Sequence, residues 1–318
     1  SQVLISQAGR SMSLPVHGVG MVSSSLEVCV PPLYWYDDWP RLLLFVEYHR
    51  REGAFITIYA NSVSHTVKRI LDYYESQGVI RVINWPMLPL LEEEDPNRSV
   101  YRLSHSLAHN DCVLRSSSKY TTLLDIDEFI YVRNSSFLDF VKSKFSSDSS
   151  IGSLQFEHLG LISEAQLDES FDALDLMEIR EIEGPSKVLF NPSSILFLST
   201  HTVNTHVEGF HRTNISKDEA FLLHMRNSFG HKKVGERIAM DDRFSSDLKE
   251  RVKATRDAIF GSMIPSFTLN VTKEVIRCTS TWRTDGCKTP IHSCYSQLMT
   301  MEEWFFYSPS DDSHFLVL

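Results

Sequence analysis

Residues 120–132 read "YTTLLDIDEFIYV". Three carboxylates, Asp125, Asp127 and Glu128, interrupt one of the more apolar runs of the chain. The flanks, Tyr120 to Leu124 and Phe129 to Val132, have the composition of buried strands. A carboxylate carried into such surroundings is costly unless a cation or hydrogen bonds compensate it. The motif therefore demands a partner.

Upstream of it the apolar pattern alternates between two periods. "EVCV" reads as a strand and "PPLYWYDDW" as a loop. "PRLLLFVEYHRRE" reads as a helix with Pro40 in its first turn and Gly53 just past its end. "AFITIYA" is a strand. In "SVSHTVKRILDYYESQG", Val67, Ile70, Leu71 and Tyr74 recur at i, i+3, i+4 and i+7, an amphipathic helix closed by Gly78. "VIRVINW" is a third strand, and "PMLPLLEEEDP" an acidic loop. "SVYRLSHSLAHNDCVLRSSS" reads as one helix, and the quoted segment is the fourth strand. Alternation of this kind implies an α/β fold with a mostly parallel sheet flanked by helices. Such sheets bind ligands at the carboxyl ends of their strands, where Asp125 and Asp127 fall.

Downstream, "SSFLDFVKSKFSS" reads as a helix and "IGSLQFEHLGLI" as one strand. Two further strands are expected around "KVLF" and "SILFLST", followed by a histidine-rich segment from His201 to His231. With no repeat and no clean linker, a lead-in over residues 1–27, a catalytic domain over 28–235 and an extension over 236–318 packed on the same domain are expected.

The 318 residues carry a formal charge of −10, which argues against nucleic acid as partner, because phosphate contacts need a basic surface. A nucleotide stays admissible, since a bound cation can supply positive charge locally. No stretch of 18 apolar residues spans a bilayer. The opening "SQVLISQAGR" reads as the interior of a longer protein. The expectation is a lumenal domain whose membrane segment is absent from this chain. Sequons at Asn97, Asn134, Asn214 and Asn270 agree with that compartment. So do five cysteines (Cys29, Cys112, Cys278, Cys287 and Cys294), which allow up to two disulfides with one thiol left over. Buried free cysteines are the alternative.

An Asp-x-Asp at a strand end can hold a divalent cation for a nucleotide diphosphate, supply an aspartyl-phosphate nucleophile, form half of a glycosidase pair, or simply be solvated. Phe129 and the position on a fourth strand disfavour the phosphoenzyme. Neighbouring carboxylates on one strand end do not supply the separation a glycosidase needs. Mg²⁺ or Mn²⁺ shared with a diphosphate fits best, because these ions take one or two carboxylates and complete their shell from phosphate and water. On this reading the cation compensates the acidic trio.

The blocks "CVPPLYW", "VEYHRREGA", "IYANS", "AHNDCVLR", "LLDIDEFIYV", "KVLFNPSSI", "STHTV" and "LLHMRNS", in that order, resemble the family-92 glycosyltransferases. The resemblance implies a GT-A, Rossmann-type fold and a metal-dependent, inverting transfer of galactose from UDP-galactose in β1,4 linkage. The implied acceptor is a glycan, in one animal branch the core fucose of N-glycans, and the implied place is the Golgi lumen, with a type II membrane anchor. By position it makes Asp127 a metal ligand, and Asp125 a contact to ribose or to the metal through water. Glu128 becomes a support, and His224 of "HMR" a further ligand, although Met225 stands where the family has an aromatic residue. Glu47, His49, Tyr59, Asn61, Asn110, Asp111 and either His201 or His206 would line the donor. In "KVLFNP", Asn191 replaces a common arginine.

An inverting displacement needs a base on the acceptor hydroxyl. Glu157 is favoured because it ends a strand after the motif, with Glu208 as the alternative and Glu164 and Asp168 as further carboxylates in range. Trp35, Trp39, Trp282 and Trp304 could wall an acceptor groove or pack in the core. The rival readings are an idle glycan- or protein-binding ectodomain and a nucleotide-sugar hydrolase.

Overall fold

Strands buried on both faces read as nearly continuous apolar runs, and the first half of the chain supplies three, with a half-buried fourth at the sheet edge. In the computed structural model, which describes residues 2–7, 10–15, 24–90, 92–93, 95–163, 165–226, 232–238, 246–280 and 294–309, these are Leu26–Leu33, Phe55–Ala60, Ile80–Asn84 and Tyr120–Leu123. They pair in parallel, with Leu26–Leu33 between Phe55–Ala60 and Tyr120–Leu123. Lys187–Phe190 inserts antiparallel beside Tyr120–Leu123, and Ile151–Phe156 and His211–Asn214 complete a seven-stranded sheet. The α/β, mostly parallel expectation holds.

The helices begin and end where their side chains satisfy the backbone. Trp39–Arg51 is capped by the Asp38 carboxylate, which accepts from Arg41 N, and the chain turns away at Gly53 with φ +79°. His65–Ser76 starts at Ser64, whose hydroxyl accepts from Val67 N, and buries Val67, Ile70, Leu71 and Tyr74. The "SVS" before it is a short strand, Ser62–Ser64.

Two expected elements are cut by tertiary structure. The helix expected from Ser99 onwards begins only at His105, because Arg102, Leu103 and Ser104 take positive φ of 46°, 51° and 61°. "IGSLQFEHLGLI" is two strands, Ile151–Phe156 in the first sheet and His158–Ile162 in a second, with Glu157 at the crossing. That second sheet runs Arg237–Ile238, Glu178–Arg180, His158–Ile162, Ala220–Met225, Glu128–Val132. The quoted segment thus leaves one sheet at Leu123 and enters the other at Glu128. Its acidic residues form the corner between them.

The helix Ser246–Phe260 packs on Trp39–Arg51. Glu47, 2% exposed, ties the two together by accepting from Thr255 Oγ1 at 2.9 Å and also accepts from Tyr74 Oη of the helix His65–Ser76 at 2.8 Å. Trp304–Phe306 pairs with Ser62–Ser64. Disulfides join Cys29 to Cys112 and Cys278 to Cys294; Cys287 lies outside the described residues. Trp35, Trp39 and Trp304 pack in apolar clusters rather than along a groove, and Trp282 lies outside the described residues. Asn97 is buried and spends its amide on Leu88 and Asp95, whereas Asn134, Asn214 and Asn270 are exposed. Among the described residues no helix is long and apolar enough to cross a membrane.

His49 is fully buried, stacks on Phe129 at 5.8 Å and bonds through Nδ1 to Phe45 O; burial lowers it to about 3. Its folded pKa lies below the unfolded value of about 6.5. The unfolded chain therefore binds the extra proton, and stability present above about pH 6.5 is lost as the pH falls towards 3. His49→Phe should flatten the pH dependence of the unfolding free energy from urea melts between pH 7 and 5 by about 2 kcal/mol. An unchanged slope in the variant would show that His49 titrates alike in the folded and unfolded chain.

Candidate active site

The corner between the sheets is a tight turn. Glu128 N donates to Asp125 O at 3.0 Å, and Asp125 N donates back to Glu128 Oε2 at 2.8 Å. Glu128 is 1% exposed, and its carboxylate meets the Nζ of Lys187 at 2.9 Å. The same ammonium lies 3.0 Å from Asp125 Oδ2, and Lys187 itself is fully buried. One lysine thus carries two of the three carboxylates. Burial pushes Glu128 up to about 7 against the pull of Lys187. Burial also opposes ionisation of Asp125, but Lys187 and His105 outweigh it and hold this carboxyl below its ordinary range. Compensation of Asp125 and Glu128 therefore comes from protein, which corrects the expectation that a metal ion alone makes the trio tolerable.

Asp127 has a different partner. Strand Ala220–Met225 pairs antiparallel with Glu128–Val132, which sets His224 opposite Glu128. His224 Nε2 comes to 3.1 Å from Asp127 Oδ2. Burial raises the Asp127 carboxyl, but His224 and Arg41 outweigh it and the net shift is downward.

The tautomers follow from the neighbours. His158, which burial lowers to about 4, is neutral at pH 7 and must donate from Nδ1, because its partner there is Ile182 O at 2.9 Å. His158 Nε2 then accepts, so His224 Nδ1, 3.2 Å away, carries its own proton. His224 Nε2 accepts from Arg226 Nε at 2.8 Å and faces the Asp127 carboxylate across one small space. In an octahedral shell, bonds of roughly 2.1 Å at right angles put two ligand atoms about 3.0 Å apart. The pair fits a divalent cation, with the Arg226 guanidinium now occupying the cationic role at 2.8 Å from His224 and 4.0 Å from Asp127. His158 orients the histidine from behind, as a partner to a ligating imidazole does. Gly184 permits this: a Cβ there would stand 2.5 Å from the His158 ring. Among the described residues the other acid–cysteine clusters, Glu27 with Cys29 and Cys112 and Glu274 with Cys278 and Cys294, have their sulfurs in disulfides and offer no thiolate.

A cavity of about 330 Å³ opens over this corner, lined among others by Arg102, His105, Asp125, His201, His224 and Arg226. On the far side of Pro185 lies a groove of about 980 Å³ that includes Glu157, His158, Lys217 and Lys232.

Asp125, Asp127, Glu128, His201 and His224 are brought together. The other expected donor contacts lie elsewhere and are engaged. Tyr59 Oη donates to Asp111 Oδ2 at 2.7 Å, and Arg115 holds the same oxygen at 2.6 Å. Asn61 donates to Trp85 O at 2.9 Å. Asn110 clamps Leu198. Glu47 ties helices together, as described above. His206 bonds to Ser153 Oγ at 3.0 Å. Of the carboxylates considered as base, Glu157 lines the large groove and meets Lys217 at 3.2 Å, Glu208 is an exposed turn residue, Asp168 accepts from Ser170, and Glu164 lies outside the described residues.

Residues 24–260 match glycosyltransferase family 92. This chain belongs to that family. Its relatives include two family-92 proteins of Caenorhabditis elegans: F13G3.3, 30% identical over 42% of this chain and 28% of the relative, and C33H5.2, 24% identical over 38% and 25%. The matched part covers about a quarter of their own length. Among solved structures, Staphylococcus aureus TarS with UDP-GlcNAc aligns over 82% of this chain and 74% of its own at 12% identity and a TM-score of 0.38. The mannosyltransferase PcManGT of Pyrobaculum calidifontis, solved with GDP-Man and Mn²⁺, aligns over 87% and 84% at 8% identity and a TM-score of 0.38. The family-92 match runs past residue 235 and takes in the helix Ser246–Phe260.

Within this family-92 chain the residues that sequence reasoning missed are Lys187, His158, His105 and Arg226. Lys187 left a signal, a lysine opening the apolar run "KVLF". Arg226 stands in the quoted block "LLHMRNS", whereas His105 and His158 left none, because their roles depend on how distant segments pack.

Proposed function

We propose that the chain is the catalytic portion of a divalent-cation-dependent, inverting glycosyltransferase. It would transfer a hexose from a UDP-sugar to a glycan hydroxyl. The resemblance makes the hexose galactose, the linkage β1,4 and the acceptor the core fucose of an N-glycan. Two disulfides and three exposed sequons suit the Golgi lumen.

The observation that carries this reading is the facing pair of Asp127 Oδ2 and His224 Nε2 at 3.1 Å beside a polar cavity. These two residues would hold Mn²⁺ or Mg²⁺. When bound, the ion supplies Lewis-acid stabilisation of charge on the departing diphosphate. The chain's own groups do the rest. Lys187 fixes Asp125 and Glu128 without reaching solvent, so the turn keeps its shape as charge moves. Arg226 and Arg102, on the cavity wall, are placed to meet phosphate oxygens. Glu157, in the adjoining groove, is the proposed base towards the acceptor, with Glu208 as the alternative.

Calorimetry of UDP binding is the direct test. With Mn²⁺ present, UDP should bind at least tenfold more tightly than in EDTA, because the cation links protein carboxylate to phosphate. Equal affinities in the two buffers would remove the metal from the reading.

A further inference from the structure

The wall of the cavity opposite His224 carries a second arrangement that the metal pair does not use. His105 Nε2 is buried with no hydrogen-bond partner and stands 3.8 Å from Asp125 Oδ1. That separation is too long for a direct hydrogen bond. It suits one oxygen bridging the two atoms at about 2.8 Å from each. The other carboxylate oxygen, Oδ2, is held by Lys187 at 3.0 Å, so Oδ1 is presented at a fixed position. Behind His105, the ring of His109 packs edge-on at 4.4 Å, 1% exposed and with both nitrogens lacking partners.

The backbone is bent to make this surface. Arg102, Leu103 and Ser104 are consecutive non-glycine residues in the left-handed region, and Trp85 Nε1 pins the bend by donating to Leu103 O at 2.7 Å. Each such residue costs on the order of 1–3 kcal/mol, and strain of this kind persists where surrounding structure enforces it. The result is that the helix starts at His105, and both Arg102 and His105 line the cavity.

The chemistry narrows the ligand. A phosphate oxygen is repelled by Asp125. A cation is disfavoured by the Lys187 ammonium beside the same carboxylate, and 3.8 Å is wide for two ligands at right angles on a small ion. A hydroxyl satisfies both sides, since it donates to a carboxylate and accepts from an imidazole N–H. Burial lowers His105 to about 4, so the ring is neutral at pH 7 and one nitrogen carries the proton.

We infer that His105 and Asp125 together grip one hydroxyl of the donor's hexose, which makes His105 a residue that selects the sugar. The inference rests on the UDP-sugar reading proposed above and deepens it. A site built to bond a hydroxyl discriminates strongly against sugars that lack it or turn it away, because its buried polar atoms are then left unpaired. The ribose carries hydroxyls of the same chemistry, and the comparison of UDP with UDP-hexose separates the two.

The test uses His105→Ala and the amide-bearing His105→Gln, with affinities for UDP, UDP-galactose and UDP-glucose measured by calorimetry in Mn²⁺. The expected result for His105→Ala is UDP affinity within twofold of the parent, UDP-galactose affinity weakened at least tenfold, and loss of the preference between the two hexoses. His105→Gln should recover part of the affinity. Equal weakening of UDP and UDP-galactose would assign the hydroxyl to the ribose and overturn the inference. Unchanged UDP-galactose binding in both variants, with UDP bound normally, would overturn it as well. Failure of the parent protein to bind UDP in Mn²⁺ would instead refute the donor reading and take this inference with it. Thermal melting of each variant separates loss of fold from loss of recognition.

Discussion

Asp127→Asn should reduce Mn²⁺-dependent transfer by about three orders of magnitude or more while leaving the melting temperature in EDTA unchanged or slightly lowered. The two halves of this result have separate causes. Activity falls because an amide cannot replace a carboxylate as ligand to a divalent cation whose charge the diphosphate needs. Stability holds because the backbone role of residue 127 survives: its carbonyl accepts from Met225 N at 2.7 Å whatever the side chain. In the parent protein, added Mn²⁺ with UDP should raise the melting temperature, and in the variant that increment should vanish. A large loss of stability in EDTA would recast Asp127 as a structural acid and remove the metal pair from the mechanism.

Lys187→Met should act in the opposite way, through the fold. The substitution leaves Glu128, 1% exposed, and Asp125 without their shared cation at 2.9 and 3.0 Å. Breaking a buried ion pair from one side costs about 3–5 kcal/mol, because a charge remains buried without its partner. At roughly 2–4 °C per kcal/mol for a large domain, the melting temperature should fall by about 10 °C. Adding Glu128→Gln should recover part of the loss, since the amide needs no counter-charge, and the double-mutant cycle should report a coupling above about 1 kcal/mol. Additive effects in that cycle would mean that Lys187 and Glu128 do not interact in solution. Transfer activity of Lys187→Met is not the diagnostic quantity here, since a displaced Asp125 lowers it through geometry alone.

The charges that compensate the acidic corner explain why it was only half readable. That carboxylates at residues 125, 127 and 128 needed a partner followed from their apolar neighbours, and that they sit at the carboxyl end of a strand followed from the count of strands before them. His224 was reachable through the resemblance. Lys187 lies in the block "KVLFNPSSI", but nothing in that block tells which carboxylate it meets. It reaches Asp125 only because Lys187–Phe190 inserts antiparallel beside Tyr120–Leu123, 62 residues away in the chain. Glu47, Tyr59, Asn61, Asn110 and Asp111 illustrate the converse. Each is polar, and each bonds another element of the fold.

Local chemistry was enough for elements whose causes are local. The helix His65–Ser76 needed only its four-residue apolar stripe, the serine cap at Ser64 and the glycine at 78. The parallel strands needed only their apolar runs and the helices between them. Three features came from tertiary packing instead. The left-handed break at Arg102–Ser104 is pinned by Trp85, the strand after Ile151 changes sheets at Glu157, and His158 and His224 meet across neighbouring strands. Periodicity and capping act over a few residues, so they can be read along the chain. Which buried charge meets which counter-charge depends on strand order and register, and those exist only once distant segments have packed together.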